Sequence, residues 1–273
     1  MHRLIVCTLL LCATLWAQGA RILIVTDLEG AGGVNDADEQ LLPGQRRYLE
    51  SRRILTGEVN AAVEGVLAAG ASEVVIWDGH DGSRTLSVDE IHRAAKLIQG
   101  RPTPATYYFS PKLYDGVLFV GQHAMANAKD AILAHSQSFS VQRITLNGKE
   151  VGEIGQVAAI AGYFDIPVIM LAGDQAACLE LVDLQPKAVT VAVKRLAGKT
   201  SALSLSHEEA KRQIQAAARK AVEHIRDYRP WKIAGPVELK IEYRPQPPQS
   251  PAGRSNSYRG QNVLEAYQDW LGK

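Results

Sequence analysis

The chain has 273 residues, of which 46% are hydrophobic and 22% are charged. This is an ordinary globular composition, and a chain of this length can bury one large core or two modest ones. The formal net charge of +1 argues against a surface dedicated to nucleic acid or to anionic membranes.

The first twenty residues have the pattern of a secretory signal peptide. A short basic start precedes an apolar run over residues 4–16, and the small residues that follow allow cleavage after Gly19 or Ala20. The run is shorter than the roughly 20 residues that a membrane-spanning helix needs. We therefore expect an exported protein, periplasmic or secreted, that holds no membrane segment once residues 1–20 are removed.

Short apolar runs then alternate with helix-length segments as far as about residue 200. The predicted elements, in chain order, are a strand at 21–26, a loop at 30–44, a helix at 47–69, a strand at 73–77, a helix at 88–98, a strand at 116–120, a helix at 154–163, a strand at 168–171, a helix at 175–182 and a strand at 189–193. This alternation is typical of βαβ units. It predicts an α/β domain over residues 21–200 with a mainly parallel sheet in a three-layer α/β/α arrangement.

Other signals complete the prediction. Asn147-Gly148 is a strong hairpin signal between strands at 139–146 and 149–151. Ser206 and Glu209 form a capping box that opens a helix reaching about residue 226. A strand at 237–243, a loop at 245–259 and a helix at 263–271 follow. We interpret residues 201–273 as a smaller α+β region that completes the fold.

Carboxylate and imidazole side chains stand next to the predicted strands and at one helix start. Asp27 and Glu29 follow the first strand, His80 and His123 follow two later strands, and Glu153 opens a helix. Ligands gather beyond the carboxyl ends of the strands in sheets of this kind. Asp, Glu and His in one place suit a divalent metal, zinc above all.

This set of side chains is larger than one tetrahedral zinc ion needs. The surplus indicates two ions that share a bridging carboxylate, as in two-metal hydrolases. His135, in the stretch LAHSQS, has the chemistry for proton transfer. The sequence therefore favours a metal-dependent hydrolase.

Each of these residues also has a structural interpretation when it is taken alone. Asp27 could cap a turn or helix, and His80 could be exposed in its glycine-flanked loop. His123 could be a hydrogen-bonded core histidine, and Glu153 could be a first-turn carboxylate favoured by the helix dipole. The spacing of the residues does not decide between these interpretations and a metal site.

At these residues the chain resembles the D-aminopeptidase family, the zinc-dependent peptidases of the bacterial dipeptide-utilisation operon known as peptidase family M55. The resemblance runs from about residue 21 to residue 193. It is carried by six ordered motifs: the DLEG opening, the helix residues Arg52, Leu55, Thr56, Glu58 and Asn60, the DGH loop, GQHA, the LAHSQS segment with GEIG, and AGD.

The resemblance implies a site with two Zn²⁺ ions per subunit. Asp27, Glu29, His80, His123 and Glu153 fall on the family's metal-ligand positions, with Asp27 as the bridge. His135 falls on the position of the family's catalytic histidine. The family acts on short peptides with an N-terminal D-residue, D-alanine among them, and forms ring-shaped homo-oligomers.

Two other functions are compatible with the same residues. One is a zinc-dependent hydrolase that acts on L-peptides or on amides of the cell wall. The other is a non-catalytic envelope protein that binds peptides. The response to a chelator and the choice among D- and L-peptide substrates distinguish these alternatives.

Overall fold

The structure is a computed structural model that describes residues 19–100, 109–110, 112–198, 200–248 and 252–272. Most of the predicted signal peptide, residues 1–18, lies outside the described residues. Within the described ranges, no helix combines the length and the apolar character needed to cross a bilayer.

A central sheet organises the described part of the chain, with seven strands in the order β3-β2-β1-β4-β7-β8-β9. Its strands are β1 Arg21–Thr26, β2 Glu73–Asp78, β3 Ala95–Ile98, β4 Gly116–Gln122, β7 Val168–Asp174, β8 Val189–Gly198 and β9 Ser201–Ser204. All neighbouring pairs are parallel except β8 and β9. The chain proceeds outward from β1 in one direction and then returns to β4 on its other side, so the order reverses between β1 and β4.

The helices lie on both faces of this sheet. They are α1 Ala37–Gln40, α2 Tyr48–Ala68, α3 Glu153–Tyr163, α4 Gln175–Leu184, α5 His207–Glu223 and α6 Val263–Trp270. Alternate residues of β1 serve the two faces: Ile22 and Ile24 pack with α2 and α5, whereas Leu23 and Val25 pack with α3, α4 and α6. The predicted three-layer α/β/α arrangement is confirmed.

A second, antiparallel sheet covers part of the α3 side. In the described ranges it has four strands in the order β11-β10-β5-β6. They are β5 Val141–Leu146, β6 Lys149–Glu150, β10 Val237–Tyr243 and β11 Arg254–Gly260. The predicted hairpin is confirmed, since Asn147 and Gly148 both have positive φ angles, of 49° and 81°, between β5 and β6.

The predicted helix at 88–98 is wrong. Residues 84–94 form turns and bends, and Ala95–Ile98 is the edge strand β3, paired in parallel with β2. Asn60 of α2 stabilises the turn around Glu90. Its side chain donates to the Glu90 carbonyl at 2.9 Å and accepts from the His92 amide at 2.7 Å. Val88, the first residue of the predicted helix, is 66% exposed.

The predicted loop at 245–259 is also wrong in its second half. Arg254–Gly260 forms β11, which pairs with β10 along its whole length. Its polar composition hid the strand, because β11 is an edge strand whose side chains are largely exposed. A cross-strand ion pair between Arg259 and Glu238 at 2.8 Å supports the pairing.

The region from residue 201 onward joins both sheets. β9 extends the central sheet and α5 packs beside α2, whereas β10, β11 and α6 complete the second sheet and the layer beneath it. The proposed boundary at residue 200 stays a prediction.

Candidate metal centre

Three parallel strands deliver polar side chains to one edge of the central sheet. Thr26 pairs with Asp78 of β2 and with Val120 of β4, so these strands end at nearly the same level. Asp27, His80 and His123 follow within a few residues of those ends. This edge includes the β1–β4 position where the strand order reverses, the place at which open α/β sheets bind ligands.

Two glycines allow the segments that follow β1 and β4 to approach each other. A Cβ at Gly30 would lie 2.0 Å from the Gln122 carbonyl oxygen, and one at Gly121 would lie 2.0 Å from the Asp27 carbonyl oxygen. Gly121 also has a φ of +76°, in the region that favours glycine. The backbone therefore leaves strand geometry here, and this brings both Asp27 and Glu29 to the site.

His80 lies between two carboxylates. Its Nδ1 atom is 3.2 Å from Asp27 Oδ1 and 3.0 Å from Glu29 Oε2. The other ring nitrogen, Nε2, is 2.9 Å from the Leu41 carbonyl oxygen. Since a carbonyl can only accept, Nε2 carries a proton, and Nδ1 is the ring nitrogen that faces the carboxylates.

His123 repeats this arrangement on the other side of Asp27. Its Nδ1 atom donates to the Ala124 carbonyl at 2.9 Å. Its Nε2 atom lies 3.2 Å from Asp27 Oδ2 and 3.6 Å from Glu153 Oε1. The two oxygens of the Asp27 carboxylate thus face two different histidines.

His135 lies against the same group at longer range. Its ring stacks on that of His123 with centroids 4.0 Å apart, and Phe139 packs on it at 4.4 Å. Nδ1 donates to the Leu133 carbonyl at 2.8 Å, while Nε2 is 3.8 Å from Glu153 Oε1 and 4.0 Å from Glu29 Oε1. Because these distances exceed hydrogen-bond length, His135 does not pair directly with either carboxylate.

The structure therefore brings together all six residues singled out from the sequence. Five of them are buried, and the Glu153 side chain is 20% exposed. Two overlapping sets have ligand atoms within 4.8 Å of one another: His123 with His135 and Glu153, and His123 with Asp27 and Glu29. His92, His207 and His224 contribute to neither set.

The donor set fits a divalent cation on two further observations. Glu29 Oε2 and His123 Nε2 are buried and have no hydrogen-bond partner among the described residues. Imidazole nitrogens and carboxylate oxygens face each other at 3.0–3.6 Å, an arrangement that requires a proton or a cation between them. Nitrogen and oxygen donors of these types are the ones that zinc binds.

The charges of the site point the same way. Burial raises the pKa of Asp27, but the imidazoles of His123 and His80 beside its two oxygens outweigh burial and hold this pKa well below its usual value. Burial lowers the pKa of His80, but Glu29 and Asp27 outweigh it and raise this pKa to about 12. Positive charge between the carboxylates is therefore favourable. Protons on the imidazole nitrogens supply it in the absence of a metal, and a metal ion would supply it when it replaces those protons.

Buried groups behind the ligands hold the segment that follows β1. Lys194 of β8 donates its Nζ hydrogens to the carbonyl oxygens of Glu29 and Val34. Glu58 of α2 accepts from the Gly32 amide at 3.0 Å. No role for Lys194 was predicted from the sequence, although a lysine directly after the apolar run at 189–193 is a signal that could have revealed it.

A second buried carboxylate joins the other two ligand segments. Glu180 of α4 accepts from the Met125 amide at 2.8 Å and from the Gly152 amide at 3.3 Å. These amides stand close in sequence to His123 and Glu153. Glu180 therefore fixes the end of β4 relative to the start of α3, a role that its place in a helical pattern did not indicate.

The buried Glu58 predicts a pH dependence of stability. Burial raises the pKa of Glu58 to about 7, despite the Gly32 amide and the charge of Lys194. A carboxyl group with a raised pKa in the folded state stabilises the fold when protonated, and this contribution is lost as the pH rises from its unfolded pKa near 4.5 to about 7. We expect Glu58→Gln to gain about 3 kcal/mol relative to the unsubstituted protein across that range.

Urea denaturation of both proteins between pH 4.5 and 8 measures this difference. Glu64→Gln is the matched control, since Glu64 is an exposed glutamate on the same helix. A constant difference between Glu58→Gln and the unsubstituted protein over the whole range would contradict the assignment.

Comparison with known proteins agrees with this geometry. A family model described as D-aminopeptidase, Peptidase M55, matches residues 20–250. A D-aminopeptidase of Bacillus subtilis (strain 168) is 32% identical over 224 residues, which cover 82% of this chain and 81% of that protein. A solved structure of the Zn-dependent D-aminopeptidase DppA from Bacillus subtilis, described as a self-compartmentalizing protease, matches with a TM-score of 0.84 and 29% identity, covering 92% of this chain and 96% of that one. The chain belongs to the D-aminopeptidase family, Peptidase M55, and is a hydrolase of the metallopeptidase class.

Proposed function

We propose that the protein is a dinuclear zinc aminopeptidase that hydrolyses short peptides or amides with an N-terminal D-residue, D-alanine among them. One observation carries the proposal of two ions. The Asp27 carboxylate faces His80 with Oδ1 and His123 with Oδ2, each at 3.2 Å, which is the arrangement of a bridging ligand. The description of the Bacillus subtilis relative as Zn-dependent supports zinc as the metal.

The ligands divide between the two positions. Glu29 and His80 would hold one ion, His123 and Glu153 would hold the other, and Asp27 would be shared. Zinc, when bound, supplies Lewis acidity that lowers the pKa of a bound water from about 15.7 toward 7 and polarises a carbonyl oxygen. The proposed ligand side chains are largely buried, and this keeps bulk water away from the charges of the site.

His135 is the residue we assign to proton transfer. The Leu133 carbonyl fixes Nδ1 as the protonated nitrogen, so Nε2 is the atom free to accept a proton and to return it to the leaving amine. Stacking on His123 holds the ring in place. Nε2 is 3.8 Å from Glu153 and 4.0 Å from Glu29, so it pairs directly with neither and stays available to the reacting group.

Assembly and location are part of the same proposal. The relative of known structure is described as self-compartmentalizing, which supports a ring-shaped homo-oligomer with enclosed sites for this chain. The pattern of residues 1–20 supports export to a periplasm or to the outside of the cell.

A chelation experiment tests the function. The purified protein is dialysed against a chelator, reloaded with zinc, and assayed on D-Ala-D-Ala, L-Ala-L-Ala and D-Ala-amide. We expect hydrolysis of the two D-substrates to disappear with the metal and to return with two zinc ions per chain. Preference for L-Ala-L-Ala would make the protein an L-peptidase, and a reloaded protein that is idle on all three substrates would favour the peptide-binding alternative.

A further inference from the structure

A cavity of about 920 Å³ opens beside the metal centre. Asp27, Glu29, His80, His135 and Glu153 line one end of it. Cavities of 300–1,000 Å³ typically hold drug-sized molecules, and a dipeptide of two alanines is much smaller than these. The space therefore exceeds what the smallest substrates of the proposed reaction need.

The far part of the cavity is apolar and follows one face of α3. Gln156, Val157 and Ile160 succeed Glu153 at helical spacing and line the cavity along a depth of roughly 10 Å. Trp77 of β2 and Trp270 of α6 line it as well. Aliphatic and aromatic side chains thus surround a space that begins at a proposed metal ligand.

Two polar side chains that line this cavity have unmet hydrogen-bonding capacity. Both amide atoms of Gln156 and the hydroxyl of Tyr267 are buried without a hydrogen-bond partner among the described residues. Gln156 is only 3% exposed and Tyr267 only 4%. Burying such groups unpaired is unfavourable, and a ligand that brings a polar atom to the inner part of the cavity offsets that penalty.

We propose that this cavity binds an aromatic side chain of the substrate's N-terminal residue, with a tyrosine-type hydroxyl pairing with the Gln156 amide. The inference rests on the proposed aminopeptidase function and extends it to a substrate class. The N-terminal residue is chosen because its Cβ is closer along the chain to the scissile carbonyl than any side-chain atom of the leaving residue. Gln156 lies about 5 Å along α3 from Glu153, a distance that a tyrosine side chain spans.

Substrate preference gives the first test. The zinc-loaded full chain is assayed on D-Tyr-D-Ala, D-Phe-D-Ala and D-Ala-D-Ala. We expect kcat/KM for D-Tyr-D-Ala to exceed that for D-Ala-D-Ala at least tenfold, since each added methylene in an apolar pocket changes specificity about tenfold or more. A preference for D-Ala-D-Ala would overturn the proposal.

Variants of the wall give the second test. Val157→Phe fills the cavity and should lower kcat/KM for D-Tyr-D-Ala at least tenfold more than for D-Ala-D-Ala. Val88→Phe makes the same change at a valine that is 66% exposed. It should leave the ratio of kcat/KM for D-Tyr-D-Ala to kcat/KM for D-Ala-D-Ala unchanged. Trp270→Ala, at the C-terminal end of α6, removes an aromatic side chain that lines the cavity and does not crowd the core. It should also lower this ratio of kcat/KM values. Equal effects on both substrates in the two wall variants would contradict the inference.

Gln156→Leu isolates the polar contact. It should raise KM for D-Tyr-D-Ala about tenfold and leave KM for D-Phe-D-Ala within a factor of two, with the zinc content unchanged. Equal KM changes for both substrates would remove the Gln156 contact from the proposal.

Binding of the free amino acids separates this inference from the proposed function. D-tyrosine and D-alanine have no peptide bond to hydrolyse. Calorimetry with the zinc-loaded protein therefore measures how tightly the cavity binds each amino acid, whether or not the protein has peptidase activity. We expect D-tyrosine to bind at least tenfold more tightly than D-alanine, and Val157→Phe to abolish the difference. Inactivity on all dipeptides with this difference present would reject the peptidase alone, whereas equal binding of the two amino acids would reject the cavity assignment.

Discussion

Replacing Asp27 with alanine is expected to remove both proposed zinc ions and to lower kcat/KM at least about a thousandfold, because metal ions supply several kcal/mol of transition-state stabilisation. Asp27 Oδ1 lies 3.2 Å from His80 and Oδ2 lies 3.2 Å from His123. Without this carboxylate each proposed ion position loses a ligand at once. Metal analysis of the purified variant and its dipeptidase activity measure the two effects.

Asp183→Ala is the control for this substitution. The Asp183 side chain is 70% exposed, and its salt bridge to Lys149 lies at the surface. It should retain zinc and activity. Circular dichroism of Asp27→Ala checks that the fold survives, and a folded Asp27→Ala protein that keeps two zinc ions would refute the bridging assignment.

Replacing His135 with alanine should separate turnover from metal binding. We expect the zinc content to be retained while kcat falls by about 10²–10⁴, the range of general acid–base catalysis. The reason is that each proposed ion position has three ligands without His135: Asp27 with Glu29 and His80 at one, and Asp27 with His123 and Glu153 at the other. Loss of the ring also removes stacking from His123, so the zinc content is measured at several zinc concentrations.

His224→Ala provides a matched control for His135→Ala. His224 is exposed and, like His135, its Nδ1 donates to a main-chain carbonyl, that of Lys220 at 3.0 Å. This variant should behave as the unsubstituted protein. If His135→Ala loses zinc in parallel with activity, His135 is a ligand and not the proton-transfer residue.

The central strands were predictable because their apolar sequences reflect burial on both faces of the sheet. β1, β2, β4 and β7 are buried at nearly every position, and their apolar runs show this directly. Edge strands carry no such signal. β3 has apolar residues that also satisfy a helical period, and the polar β11 is recognisable only through its pairing with β10.

The residues of the candidate site also fall into those that the sequence predicts and those that it does not. Asp27, His80 and His123 were predictable because strand ends meet at one edge of a parallel sheet. Lys194 and Glu180 were not, because their partners are main-chain groups far away in sequence: Lys194 reaches the carbonyl of Glu29 across 165 residues. Such contacts depend on how the strands and helices pack, which local patterns do not record.

The carbonyl groups that accept from the three imidazole rings have a consequence for how the protein is charged with its metal. Leu41, Ala124 and Leu133 orient the rings of His80, His123 and His135 from behind, through the main chain of the fold itself. To turn away from the site, each ring would have to give up this hydrogen bond, so we expect the imidazole donors to keep their orientation when the metal is chelated and reloaded.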